Sequence, residues 1–79
     1  MSQFIATFHT QYGAVQFQKN AKKNQIPCRL APVPRTLSSS CGTCAYYESE
    51  HWDPGFPLKD LEIIYKPSDN GYEVVFEGE

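Results

Sequence analysis

Two segments in the second half of the chain alternate apolar and polar residues with the period of a strand. Leu61 to Lys66 carries Leu61, Ile63 and Tyr65 on one face, and Tyr72 to Glu77 carries Tyr72, Val74 and Phe76 likewise. Between them, Pro67-Ser68-Asp69-Asn70-Gly71 supplies turn residues, with Asn-Gly able to take positive φ. A C-terminal antiparallel hairpin is the expectation. Near the other end, Gln3 to Phe8 reads as an opening strand. From Gln11 to about Asn24 the period changes: Ala14, Phe17 and Ala21 recur at helical spacing and define a narrow apolar face. Thr10 is placed to cap that helix with its hydroxyl. Lys19, Lys22 and Lys23 fall late in the helix, where positive charge suits its dipole, and Pro27 forbids continuation.

Cys28 to Ala31 comes next as a short second strand. Strand, helix and strand in this order predict a parallel β-α-β unit with a right-handed crossover. Pro32 and Pro34 remove two donors and mark a loop. Thr36 to Ser40 can form a short helical turn, and Thr43 to Tyr47 reads as a third strand. Glu48 to Pro57, with Pro54, Gly55 and Pro57, is loop chemistry. The predicted class is α+β: a single small domain over 1–79, with a β-α-β unit, a third strand and the hairpin.

Composition sets bounds on this picture. The 79 residues give room for one core, and 41% hydrophobic residues are enough to pack it. A net charge of −2 with no dense basic cluster argues against nucleic acid as a partner. Apolar runs fall well short of the roughly 20 residues of a membrane helix, so no membrane is expected. The residues after Met1 lack an apolar core, so no secretory leader is expected either. Three cysteines make an odd number for a disulfide scaffold. Free thiols and a cytoplasmic location are the expectation.

The candidate chemistry lies in Pro34-Arg35-Thr36-Leu37-Ser38-Ser39-Ser40-Cys41-Gly42-Thr43-Cys44. Buried structural cysteines sit among apolar residues; Cys41 ends a polar loop. The hydroxyls of Ser38, Ser39 and Ser40, local backbone N–H groups and Arg35 can each favour a thiolate, the form that attacks sulfur or selenium. Gly42 lets the backbone adopt positive φ or approach a ligand. The plainer alternative is a solvent-facing cysteine with no role. Cys44 completes a Cys-x-x-Cys pair and allows three readings: a core residue, a resolving thiol beside Cys41, or half of a zinc site. Zinc would draw on Cys28, His9 or His51, and no second Cys-x-x-Cys exists, so no metal and no cofactor is expected. Cys28, between Pro27 and Leu30, reads as core filling. His9 can reach the edge of the sheet, and His51 with Trp52 can cap the core. No Ser/His/Asp pattern, glycine-rich phosphate loop or strong acid pair supports hydrolytic or kinase chemistry.

The run from Phe8 to Tyr47 resembles a family of small bacterial proteins known as putative selenium/sulfur carrier protein-like. Two stretches carry the likeness. His9-Thr10, the helix and Ile26-Pro27-Cys28-Arg29-Leu30-Ala31-Pro32-Val33-Pro34-Arg35 match its first β-α-β and proline-arginine exit, and Leu37-Ser38-Ser39-Ser40-Cys41-Gly42 matches its serine-cysteine-glycine motif. The resemblance implies that Cys41 carries sulfur or selenium as a persulfide or perselenide. Cys44 falls where the family would place a small apolar strand residue, so the resemblance implies no second thiol. After Tyr47 the family tends toward another helix, whereas this chain has a Pro/Gly loop. The expected fold is therefore ferredoxin-like-related without the second helix.

Three functional readings are open on these grounds. The first is a carrier that accepts sulfur or selenium on Cys41 from a donor protein and passes it to an acceptor protein, with Cys44 as a possible releasing thiol. The second is a non-catalytic interaction module, favoured if Tyr46, Tyr47, Trp52, Phe56, Tyr65, Tyr72 and Phe76 form an exposed patch. The third is a small thiol–disulfide protein using the Cys41–Cys44 couple.

Overall fold

Apolar spacing and a single hydroxyl place the helix. In the computed structural model, which describes residues 2–37 and 39–78, α1 spans Gln11–Lys23. Thr10 is the N-cap in extended backbone, and its hydroxyl accepts from the Gly13 N–H at 3.2 Å. Gly13, Ala14, Phe17 and Ala21 form its buried face, and Lys22 and Lys23 occupy the last turn. Gly13 is there because nothing larger fits: a Cβ would stand 2.7 Å from the Lys59 carbonyl oxygen and 2.9 Å from the Asp60 Cβ.

The strands are β1 (Ser2–Phe8), β2 (Cys28–Pro32), β3 (Thr43–Ser49), β4 (Leu61–Ser68) and β5 (Gly71–Glu77). They form one sheet in the order β2-β3-β1-β4-β5, with every neighbouring pair antiparallel. Because β1 and β2 both run antiparallel to β3, they are parallel to each other. The predicted β-α-β unit is therefore present in split form, with β3 inserted between its strands. The fold is α+β, with one helix against one face of a five-stranded sheet.

Among the described residues no second helix comes after β3. Residues 50–60 are a loop, and its aromatic residues close the helix-side core instead. Trp52 stacks on Phe76 with centroids 4.2 Å apart, and Phe56 meets Phe17 edge-on at 5.2 Å. The Tyr47 hydroxyl, deep in that core, donates to the Trp52 carbonyl. Phe4, Ala6, Phe8, Phe17, Ala45, Tyr47, Leu61 and Ile64 complete this layer.

The other face holds a smaller cluster of Ile5, Cys44 and Tyr65, onto which Val33, Leu37, Tyr46 and Ile63 pack. Thr7, fully buried, exchanges hydrogen bonds with the Ile63 backbone at 3.1 Å in both directions.

Two irregularities overturn the simple alternation expected of the hairpin. Phe8 pairs with Leu61 although Thr7 pairs with Ile63, so Glu62 is an extra residue in β4. Tyr65 pairs with Val74 although Ile64 pairs with Phe76, so Val75 is extra in β5. Each bulge flips the facing of the strand residues beyond it. Leu61 and Phe76 thus join the helix-side core, while Ile63 and Tyr65 pack on the other face. The turn differs as well: Ser68 pairs with Gly71 around Asp69-Asn70, and the positive φ (+123°) belongs to Gly71 alone.

Candidate functional site

Between β2 and β3 the chain leaves the sheet at Val33 and returns at Gly42, where the Val33 N–H donates to the Gly42 carbonyl at 3.1 Å. Pro32, expected in the loop, is instead the last residue of the edge strand β2 and pairs with Thr43, a place where its missing N–H is tolerated, and Pro34 stands in the excursion itself. Its first part turns at residues 34–37, with the Leu37 N–H on the Pro34 carbonyl at 3.0 Å. That turn replaces the expected one at Thr36 to Ser40, where no described residue is helical. Val33 and Leu37 anchor the loop on the face away from the helix.

Its second part carries Cys41. The loop comes back past the C-terminal end of β1, where the Ser39 hydroxyl donates to the Phe8 carbonyl at 3.0 Å. Ser40 donates twice to Glu62, from its N–H to Oε1 at 3.2 Å and from its hydroxyl to Oε2 at 2.9 Å. Cys41 is half-buried, packed against the helix-side core. Its thiol donates to the Thr43 carbonyl at 3.4 Å and lies 3.8 Å from the Ser39 hydroxyl. With the single Ser39 proton on Phe8 and the single thiol proton on Thr43, the approach of Ser39 to the sulfur is a contact that carries no proton of its own. Gly42 then turns the chain into β3 with φ +74°, a conformation that costs a side-chain-bearing residue 1–2 kcal/mol, roughly.

The serines therefore do more holding than solvating. Ser39, Ser40, Cys41 and Gly42 follow one another along the return of the loop, while Ser38 lies outside the described residues. Arg35 is exposed on the same loop, and no hydrogen bond or ion pair joins it to a described residue. Cys44 is fully buried on the other face, beside Ile5 and Tyr65, with its thiol 3.8 Å from the Pro32 carbonyl. Burial raises the Cys44 thiol above its ordinary range, with Tyr46 and Arg29 pulling less strongly the other way. Burial likewise pushes the Cys28 thiol up to about 11. All three cysteines are free.

Sequence reasoning missed the acidic partner. Glu62 sits on the strand-like segment Leu61 to Lys66, and nothing in its neighbours hinted at a contact with the serine loop. His9 joins it, with Nδ1 3.6 Å from Glu62 Oε2. Next to them, the His9 N–H donates to the Asp60 carbonyl at 2.7 Å and the Thr10 hydroxyl donates to the Asp60 carboxylate at 2.8 Å. An open cleft of about 600 Å³ continues from His9 along Asp60, Leu61, Phe76 and Glu77. Among the described residues, no group of three or more His, Cys, Asp or Glu side chains is placed to hold a metal ion. Among them too, no helix is long and apolar enough to cross a membrane.

A family model described as Putative Se/S carrier protein-like matches residues 3–53, which include α1, β2, β3, nearly all of β1 and the whole cysteine loop. No curated protein and no solved structure matches the chain.

Proposed function

The chain belongs to the Putative Se/S carrier protein-like family, and from that premise we propose that Cys41 is the atom-bearing thiol of a sulfur or selenium carrier. The observation that carries this reading is where the three cysteines stand. Cys44 is sealed inside the sheet and Cys28, half-buried like Cys41, is a residue of the β2 ladder, whereas Cys41 alone of the three lies outside the strands, at the end of a pinned polar loop. A thiol must be both ionisable and reachable to exchange sulfur with another protein.

Loading is a sulfane transfer. The Cys41 thiolate attacks the terminal sulfur of a donor protein's cysteine persulfide. A new S–S bond forms at Cys41, the donor's S–S bond breaks, and the donor cysteine leaves as a thiolate. Delivery is the same exchange in reverse sense, with an acceptor thiolate taking the terminal atom and Cys41 leaving. Neither step needs an outside oxidant. Arg35, exposed on the same loop, offers positive charge to the persulfide anion, and Gly42, next in the chain, sets no side chain of its own beside the sulfur. Release by Cys44 would require β3 to open, so delivery is assigned to the acceptor's thiol.

Donor and acceptor proteins are the partners this reading requires. The interaction-module reading loses its observation: Tyr46, Tyr47, Trp52, Phe56, Tyr65 and Phe76 lie in the two cores or pack against them, and Tyr72 is the exposed ring of that set. The test is transfer of isotopically labelled sulfur from a cysteine desulfurase to the protein. Label retained by wild type and lost in Cys41→Ser supports the carrier; equal label in both refutes it.

A further inference from the structure

We infer that Glu62 is the positioning residue for Cys41, an inference that rests on the carrier reading above. Its carboxylate receives both donors of Ser40, the residue immediately before Cys41, at 3.2 and 2.9 Å. Hydrogen bonds to an ionised acceptor are the strong ones, and two on one residue fix its orientation as well as its position. With Ser39 tied to the Phe8 carbonyl, the two residues ahead of the thiol are fastened to the end of β1 and the start of β4. His9 lies against the same carboxylate from the β1 side.

The β1–β4 bulge supplies an independent observation. In a regular ladder Glu62 would share the helix-side face with Ile64, among Phe8 and Leu58 in the core. As the extra residue of the bulge it leaves the ladder, Leu61 takes the core position, and the carboxylate is free to meet the serine loop. Bulges beside functional sites commonly re-aim one side chain in this way. Here the re-aimed side chain serves the thiol loop.

A clamp that only stabilised the fold would change the unfolding midpoint and nothing else. A clamp that positions Cys41 changes exchange with a protein donor while the chain stays folded. The experiment has two readouts on wild type, Glu62→Ala, Glu62→Gln, Ser40→Ala and the Glu62→Ala/Ser40→Ala double variant. Amide hydrogen exchange at Ser40 reads the clamp itself; it should accelerate at least about tenfold in Glu62→Ala, since protection reports local opening. Sulfur loading from a cysteine desulfurase reads the consequence. It should slow by about tenfold or more in Glu62→Ala, because transfer rates depend steeply on placement. Glu62→Gln, which keeps one carbonyl acceptor, should fall between. The double variant should be no slower than the worse single one, as expected when two residues act as a unit. Ser40 is exposed, so Ser40→Ala gives a folded test even where Glu62→Ala does not. Unchanged Ser40 exchange, or full-speed loading in Glu62→Ala, would overturn the inference. If wild type itself takes no sulfur, the carrier reading falls, and the Ser40 exchange still decides whether Glu62 clamps the loop.

Discussion

Cys41 and Cys44 stand three positions apart in the chain and pack on opposite sides of the sheet. Cys41 meets the helix-side core from the loop, and Cys44 is sealed beside Ile5 and Tyr65 on the far face. The Cys-x-x-Cys spacing therefore describes two thiols with different surroundings. We predict that Cys44→Ala lowers stability by about 1–2 kcal/mol, the cost of emptying a small buried site, and leaves sulfur loading at the wild-type level. Urea denaturation and the loading assay check both halves.

Thiol and phenol groups predict how stability depends on alkaline pH. Burial raises Cys28 from its ordinary value to about 11 and also raises Cys44, Tyr46, Tyr47 and Tyr65. Each is an acid whose neutral form the fold prefers. Below the ordinary thiol range both folded and unfolded states are protonated at these sites, and their contribution is complete. Above it the unfolded chain releases protons that the folded chain keeps, so stability falls with rising pH. The urea midpoint should be flat from about pH 7 to about 8.5 and drop steadily between about 9 and 11. A midpoint independent of pH across that window would contradict the burial assigned to these groups.

The helix start gives a test in which propensity and packing disagree. Alanine is the better helix former, so Gly13→Ala should stabilise an isolated helix by up to about 1 kcal/mol. In this fold its Cβ would press on the Lys59 carbonyl and the Asp60 Cβ, neither of which is the flexible tip of a long side chain. Gly13→Ala should instead destabilise by about 1–3 kcal/mol. Thr10→Ala, which removes the cap on Gly13 and the bond to Asp60, should cost about 1–2 kcal/mol. Thermal unfolding monitored by circular dichroism reads both.

Much of this architecture was legible because local rules and packing agree. Thr10, the Ala14–Phe17–Ala21 spacing and Pro27 located α1 to within one residue of its observed end. Pro32, the last residue of β2, and Pro34 just beyond it set the exit from that strand, and the Ser-Ser-Ser-Cys-Gly run marked the loop that carries Cys41. Pairing order was not legible, since nothing in β2 says that β3 intervenes before β1. The bulges at Glu62 and Val75 were hidden for a related reason: Leu61, Ile63 and Tyr65 fit a perfect alternation, and only the ladder with Phe8 breaks it. The Ser40–Glu62 contact depends on that bulge and joins residues 22 positions apart, so no local pattern could announce it.

At Gly42 a substitution separates backbone from side-chain effects. No atom lies within 4 Å of where its Cβ would be, so Gly42→Ala meets no clash and bears only the strain of the +74° φ. A loss of about 1–2 kcal/mol is expected. Equilibrium denaturation checks it, and a neutral result would mean that the loop relaxes away from this conformation.

The most direct test of the carrier account is intact-mass spectrometry after incubation with a cysteine desulfurase and cysteine, on wild type and on Cys28→Ser, Cys41→Ser and Cys44→Ala. Wild type, Cys28→Ser and Cys44→Ala should each gain the mass of one sulfur atom, and Cys41→Ser should gain none. A gain that survives in Cys41→Ser, or no gain in wild type, would contradict the assignment of Cys41 as the carrier thiol.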